Sequence, residues 1–126
     1  MKRNIGFVVL ALSLLPGCGA RGPGAAADPD AGEKALLTAL EAWKNGKSQQ
    51  DIEKGSPSII MNEDDWRNGK RLLEFKVVES SMDGRQVKRK VQIKLQDKDG
   101  TTVDRNATYI IDTTPRIVIV RDSFAS

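Results

Sequence analysis

From residue 31 to residue 44 the apolar positions recur with a helical period. Leu36, Ala39, Leu40 and Trp43 fall at i, i+3, i+4 and i+7, while Glu33, Lys34, Glu41 and Lys44 occupy other faces. Asp30-Ala31-Gly32-Glu33 has the spacing of a capping box, and Asn45-Gly46 supplies a left-handed stop, so an amphipathic helix is expected over Ala31 to Lys44. Ser48-Gln49-Gln50-Asp51 repeats the capping pattern and opens a second, short helix that Gly55 ends. Ser56 to Met61 runs extended around Pro57, and Asn62 to Gly69 reads as a loop or a single helical turn.

Beyond Gly69 the period changes to two. Leu73, Phe75 and Val77 alternate with Glu74 and Lys76; Val87, Val91, Ile93 and Leu95 alternate with Lys88, Lys90, Gln92 and Lys94. Val103, Ala107, Tyr109 and Ile111 share the next face, and Ile117 to Val120 is a continuous apolar run. Asp83-Gly84, Asp97 to Gly100 and Asp112 to Pro115 separate these segments with turn chemistry. Four strands with short connections make an antiparallel meander whose apolar face needs a cover, and the helix ending at Lys44 is the only element long enough to supply it. The expected fold class is α+β, an N-terminal helix packed on a curved four-stranded antiparallel sheet. In element order, about 90 residues resemble the cystatin-like and nuclear-transport-factor-2-like rolls.

The N-terminus follows different rules. Lys2 and Arg3 precede the apolar run Ile5 to Leu15, whose 11 residues rise about 16 Å as a helix against a bilayer core of about 30 Å. Charge, apolar stretch and small residues stand in signal-peptide order. Leu15-Pro16-Gly17-Cys18 resembles the lipobox of bacterial lipoproteins. That resemblance implies cleavage before Cys18, a diacylglyceryl group on its sulfur, acylation of the new N-terminus by a chain such as palmitate, and anchorage in the cell envelope, facing the periplasm or the exterior. Gly19 to Gly32, with four Gly, five Ala and two Pro in 14 residues, reads as a flexible tether. The expected organisation is a signal peptide over 1–17, Cys18 and tether over 18–32, one domain over 33–122 and a tail over 123–126. Trp43 to Lys47, Asp65 to Gly69 and Thr108 to Ile111 also look like segments of small uncharacterised bacterial lipoproteins.

Composition narrows the chemistry. The 126 residues carry a net charge of +3, with no His and one Cys. Histidine-dependent triads, His-ligated zinc, an intrachain disulfide and a two-thiol redox pair are thereby excluded. From Ala31 onward 17 basic residues face 15 acidic ones, which does not suggest a nucleic-acid partner. No cofactor or metal is implied: Asp97-Lys98-Asp99-Gly100 looks like the opening of a calcium loop but lacks its bidentate Glu, and Asn62 to Asp65 reads as a capped surface turn. Alternation puts Lys88, Lys90 and Lys94 on one solvated sheet face, where Lys88 and Lys90 are candidate contacts for an anionic envelope polymer or lipid headgroups. Trp43 completes the helix stripe, and Trp66 either rims a pocket or staples its loop to the sheet. Tyr109 and Asp112 are the available donor and base for a pocket between helix and sheet, but their odd separation points them to opposite faces. The cystatin-type Gln-x-Val-x-Gly wedge is missing: Gln86 to Lys90 has neither Val nor Gly in place. The expected function is a non-catalytic, lipid-anchored binding or adaptor module for another envelope component. The alternative is a small-ligand carrier or enzyme using a pocket between helix and sheet, with Trp66 and Tyr109 as candidate contacts.

Overall fold

A computed structural model describes residues 26–122. Helix α1 spans Pro29–Lys44, α2 Gln49–Glu53 and α3 Asp64–Arg67. The strands are β1 Ile59–Asn62, β2 Arg71–Asp83, β3 Gln86–Gln96, β4 Thr102–Asp112 and β5 Ile117–Arg121.

The cap of α1 differs from the expected one. Proline is favoured at the first helical position, where its missing N–H is no loss, so the cap is the residue before Pro29. Asp28 Oδ1 accepts from the N–H of Asp30 at 3.0 Å and of Ala31 at 3.3 Å. Glu33 is thereby released from capping, and it accepts from Arg89 Nε at 2.6 Å. Ala27 donates its N–H to the Arg85 carbonyl at 2.7 Å, and Asp28 donates to Thr113 Oγ1 at 3.0 Å. The last residues of the Gly/Ala/Pro stretch therefore belong to the folded domain. Gly32 lets α1 approach β3 closely there: a Cβ would stand 3.0 Å from Val87 Cγ2, so Val87 would have to shift by a few tenths of an ångström to admit one. In α2 the expected capping box between Ser48 and Asp51 is present.

The sheet has the order β1-β5-β4-β3-β2. Strands β2 to β5 form the expected antiparallel meander, but β1 joins the edge of β5 in parallel, with Ile59 opposite Ile117 and Met61 opposite Ile119. The sheet is thus five-stranded and mixed, not four-stranded and antiparallel. An exposed β5 edge would leave a row of backbone donors and acceptors unpaired, and the apolar run from Ile59 to Met61 fills it.

Leu36, Ala39, Leu40 and Trp43 of α1 are buried against Val91, Ile93 and Leu95 of β3, Ala107 and Ile111 of β4, and Ile119 of β5. In β2 it is Leu72, not Leu73, that enters the core, because a register shift between Leu72 and Glu74 changes the alternation. Val103 shares the parity of the β4 core residues but lies near the strand's start and is exposed. Among the described residues no helix is long and apolar enough to cross a membrane.

Both ends of the helix-on-sheet domain are defined by side-chain and backbone contacts. At one end the chain enters beside the β2–β3 turn and Thr113, and α1 begins; at the other, α1 ends beside Lys70, where Trp43 Nε1 donates to the Lys70 carbonyl at 2.9 Å. Helix α2 starts at this second end, where Gln49 Oε1 accepts from the N–H of Glu63 at 2.9 Å, and leads back through Gly55 and Pro57 into β1.

Candidate functional site

Tyr109 is wholly buried on the core face of β4, and the aliphatic core gives its hydroxyl no partner except one. It donates to Glu63 Oε2 at 2.7 Å. Glu63 is 0% exposed and Asp65 8% exposed, so neither stands on the surface turn expected for Asn62 to Asp65. Burying a carboxylate is prohibitive unless it is paired and hydrogen-bonded. Arg121 Nη1 supplies both pairs, donating to Glu63 Oε1 at 2.7 Å and to Asp65 Oδ2 at 2.8 Å; Arg105 Nη1 adds a bond to Asp65 Oδ2 at 3.2 Å. Glu63 also caps α3, accepting from the Asp65 N–H at 3.0 Å. Two carboxylates and two guanidiniums balance, and one short segment is tied to β4 and β5.

Burial and the Glu63 charge beside it push the Tyr109 hydroxyl well above its ordinary pKa. For Arg121, burial alone would lower the pKa, but bonds to Asp65 and the charge of Glu63 outweigh it and leave the guanidinium more firmly protonated than usual. The folded pKa of Tyr109 lies above its unfolded value near ~10. Its stabilisation is therefore complete below that pH and is lost as pH rises toward the folded value. Tyr109→Phe is expected to cost about 1.5–3 kcal/mol at pH 7, the range for a hydrogen bond to a charged group. The difference between the two proteins should shrink above about pH 10 in urea-unfolding curves; a pH-independent difference would mean the phenol titrates normally.

Trp66 is fastened to the end of α1 rather than to the sheet, and its edge also lines an open surface hollow beside Lys47, Gln49 and Arg67. Its ring stacks on Trp43 with centroids 5.4 Å apart and planes 8° from parallel, and its Nε1 donates to the Lys47 carbonyl at 2.9 Å. Asp112 lies on the opposite face from Tyr109, as the alternation requires, and accepts from Gln86 Nε2 at 2.8 Å. Tyr109 and Asp112 therefore do not form a donor and base pair. The turn at Asp97 to Gly100 spends its carboxylates locally: Asp99 Oδ1 accepts from the Thr101 N–H at 2.9 Å, and Asp97 is paired with Lys70. Among the described residues no group of acidic or sulfur ligands is placed to hold a metal ion. Cys18 lies outside the described residues.

Lys88 and Lys90 stand on the uncovered sheet face, with carboxylates interleaved. Lys90 is 3.6 Å from Glu79, and Lys94 is flanked by Glu74 on β2 and Asp104 on β4. Lys76, Lys88, Lys90 and Lys94 thus share a face with Glu74, Glu79, Asp104 and Asp112. The face carries no excess of positive charge for a polyanion to follow.

An open groove lies elsewhere, between α1 and the segment from α2 to β1, with a volume of about 660 Å³. Its α1 wall presents the small side chains of Ala31, Ala35, Thr38 and Ala42 between Lys34 and Glu41, and its far side includes Ile52, Pro57, Ile59 and Ile117. A helix is about 10 Å wide while five strands span roughly 24 Å, so α1 cannot cover the whole sheet, and the five-residue α2 leaves the strip beside it open. Lys34, Glu41, Lys47 and Asp51 also line the groove. Asp51 is occupied as the capping partner of Ser48, whose backbone and side-chain hydrogen bonds hold its carboxyl below the usual range. A pocket between helix and sheet was the alternative expectation, with Trp66 and Tyr109 as its contacts; neither lines this groove, and small residues at 31, 35, 38 and 42, spaced four, three and four apart on α1, were the available signal for its position.

Comparison of the chain with protein-family models, with curated proteins and with solved structures finds no match in any of the three.

Proposed function

We propose that the chain is a non-catalytic, lipid-anchored binding module of a bacterial cell envelope, and that the groove beside α1 is where it binds. The observation that carries this reading is the groove itself, a concavity of about 660 Å³ in the size range of ligand sites, about 300–1,000 Å³. The buried acid and base groups support the same reading. Tyr109, Glu63, Asp65, Arg105 and Arg121 are spent on one another, which suits a structural clamp more than a site that must exchange protons with a substrate. The lipobox at Leu15 to Cys18 supports the anchor. Two or three acyl chains at about 0.8 kcal/mol per buried CH₂ would hold the domain at the membrane and raise its effective concentration against partners there.

The long helix followed by four antiparallel strands supports kinship with the cystatin-like and nuclear-transport-factor-2-like rolls, with β1 as an addition at the sheet edge. The groove between helix and sheet edge also favours the small-ligand carrier, which differs from an adaptor only in what occupies that groove.

The anchor is tested in cells fed a clickable palmitate analogue. The wild-type chain is expected to label and to sediment with membranes, and Cys18→Ala to do neither; labelling that survives the substitution would overturn the anchor. Binding is tested by a photocrosslinking side chain at Thr38 in the groove and, as a control, at Lys94 on the outer face. Adducts confined to Thr38 are expected, and equal yields at both positions would remove the groove from the proposal.

A further inference from the structure

We infer that the groove beside α1 takes the single aliphatic chain of an anionic lipid, with the headgroup at the end where the tether enters the domain; the inference rests on the membrane-anchored reading above. The wall of α1 from Ala31 to Lys44 is 14 residues, or roughly 21 Å long. An acyl chain crossing one leaflet extends about 15 Å, half the hydrocarbon thickness of a bilayer. The trough is thus long enough for one such chain. Its far side offers methyl and methylene groups from Ile52 of α2, Ile59 at the start of β1 and Ile117 at the start of β5.

The α1 wall is helical, and its backbone groups are paired internally; the far side is helical only at Asp51 and Ile52 and is otherwise the Gly55 to Pro57 segment, β1 and the start of β5. β1, whose Ile59 lines the groove, is an outer strand of the sheet, so an extended peptide is the competing occupant, and saturation by one without any laurate response would overturn the inference. Charge is uneven along the groove. Toward the far end Glu41 and Asp51 outnumber Lys47, but at the tether end Lys34 is the only charged lining residue and forms no ion pair among the described residues. An anionic headgroup is complementary to that end. The same end carries Ala27 and Asp28, through which the tether leads toward the membrane, so the groove opens where lipid would be supplied.

The test uses the full chain made without lipid by cell-free synthesis, titrated with laurate below its micelle concentration. The readout is the methyl NMR signals of Ile52, Ile59 and Ile117, with Ile110 on the opposite sheet face as control. Saturable shifts confined to the first three are expected. Thr38→Trp, at an exposed groove position, should weaken binding at least tenfold while leaving the unfolding midpoint unchanged. Lys34→Glu should weaken laurate about tenfold and leave uncharged dodecanol unaffected.

No saturable shift, shifts that include Ile110 equally, or undiminished binding to Thr38→Trp would each overturn the inference. Saturation by an amphipathic Leu/Lys helical peptide without any laurate response would do so too, and would give the groove to a polypeptide. Because the titration needs no anchor, its failure is distinct from loss of palmitate labelling in Cys18→Ala, which strikes the membrane reading alone.

Discussion

Arg121→Met is expected to lower the unfolding free energy by about 3 kcal/mol, the lower part of the range for removing one partner from a buried ion pair. The lower part applies because the Arg121 side chain is still 20% exposed, while Glu63, which it neutralises, is 0% exposed. Without the guanidinium, Glu63 keeps only the Tyr109 hydroxyl and the Asp65 N–H, and Asp65 keeps Arg105 at 3.2 Å. Two carboxylates would then share an apolar site with one cation. Desolvation, rather than lost attraction, accounts for most of the cost, and this makes a specific demand on a second variant. Arg121→Met combined with Glu63→Gln should recover a large part of the loss, because the amide carries no charge to strand. Urea-unfolding free energies of the four proteins form a double-mutant cycle. A coupling below about 0.5 kcal/mol would show that the two side chains act independently and that the clamp does not exist as drawn.

The clamp was within reach of the sequence, although its carboxylates were not. Arg105 stands four residues before Tyr109, and Arg121 two residues after Ile119, so strict alternation already places both on the core faces of their strands. Arg89, between Val87 and Val91, is a third case, and its partner Glu33 is on α1. Arginines at core-facing positions demand buried acids. Glu63 and Asp65 were hidden because Asn62 to Asp65 has the composition of a solvated turn, and only the parallel pairing of β1 to β5 carries that turn under the sheet. That pairing is long-range, and four residues of strand carry too short a pattern to announce it. The meander, by contrast, rests on local turns and on long alternating runs, and its strands were legible apart from β2. There the register shifts at Leu72/Glu74 and Val77/Glu79 break the period of two, so Leu73 was placed inward where Leu72 belongs.

The same contrast explains the groove. An amphipathic stripe at Leu36, Ala39, Leu40 and Trp43 states which face of α1 is covered by the sheet, but says nothing of the neighbouring face. Whether Ala31, Ala35 and Ala42 line a packed interface or an open trough depends on how far α2 extends, and Gly55 and Pro57 end it after a turn and a half. The opening is therefore set by helix length in one segment acting on side-chain size in another.

Trp66→Ala is expected to cost about 3–5 kcal/mol, the range for removing a large buried aromatic side chain. Helix α3 has only four residues and cannot persist on backbone hydrogen bonds alone. It is held by Glu63 and Asp65 below and by the Trp66 ring stacked on Trp43 above. The two indoles also exchange tethers: Trp43 Nε1 reaches the Lys70 carbonyl just after α3, and Trp66 Nε1 reaches the Lys47 carbonyl just after α1. Each ring therefore fixes the segment that carries the other. The near-parallel, 5.4 Å geometry is offset stacking, worth about 0.5–1.5 kcal/mol beyond burial. Trp66→Phe keeps most of the apolar area but loses the N–H, so it should fall well short of the alanine cost, and the exciton signature of the paired indoles in circular dichroism should vanish in both variants. The stack lies at the opposite end of α1 from Lys34, so Trp66→Phe should leave laurate binding within twofold of wild type. A large loss of binding with little loss of stability would instead return Trp66 to the rim of a ligand site.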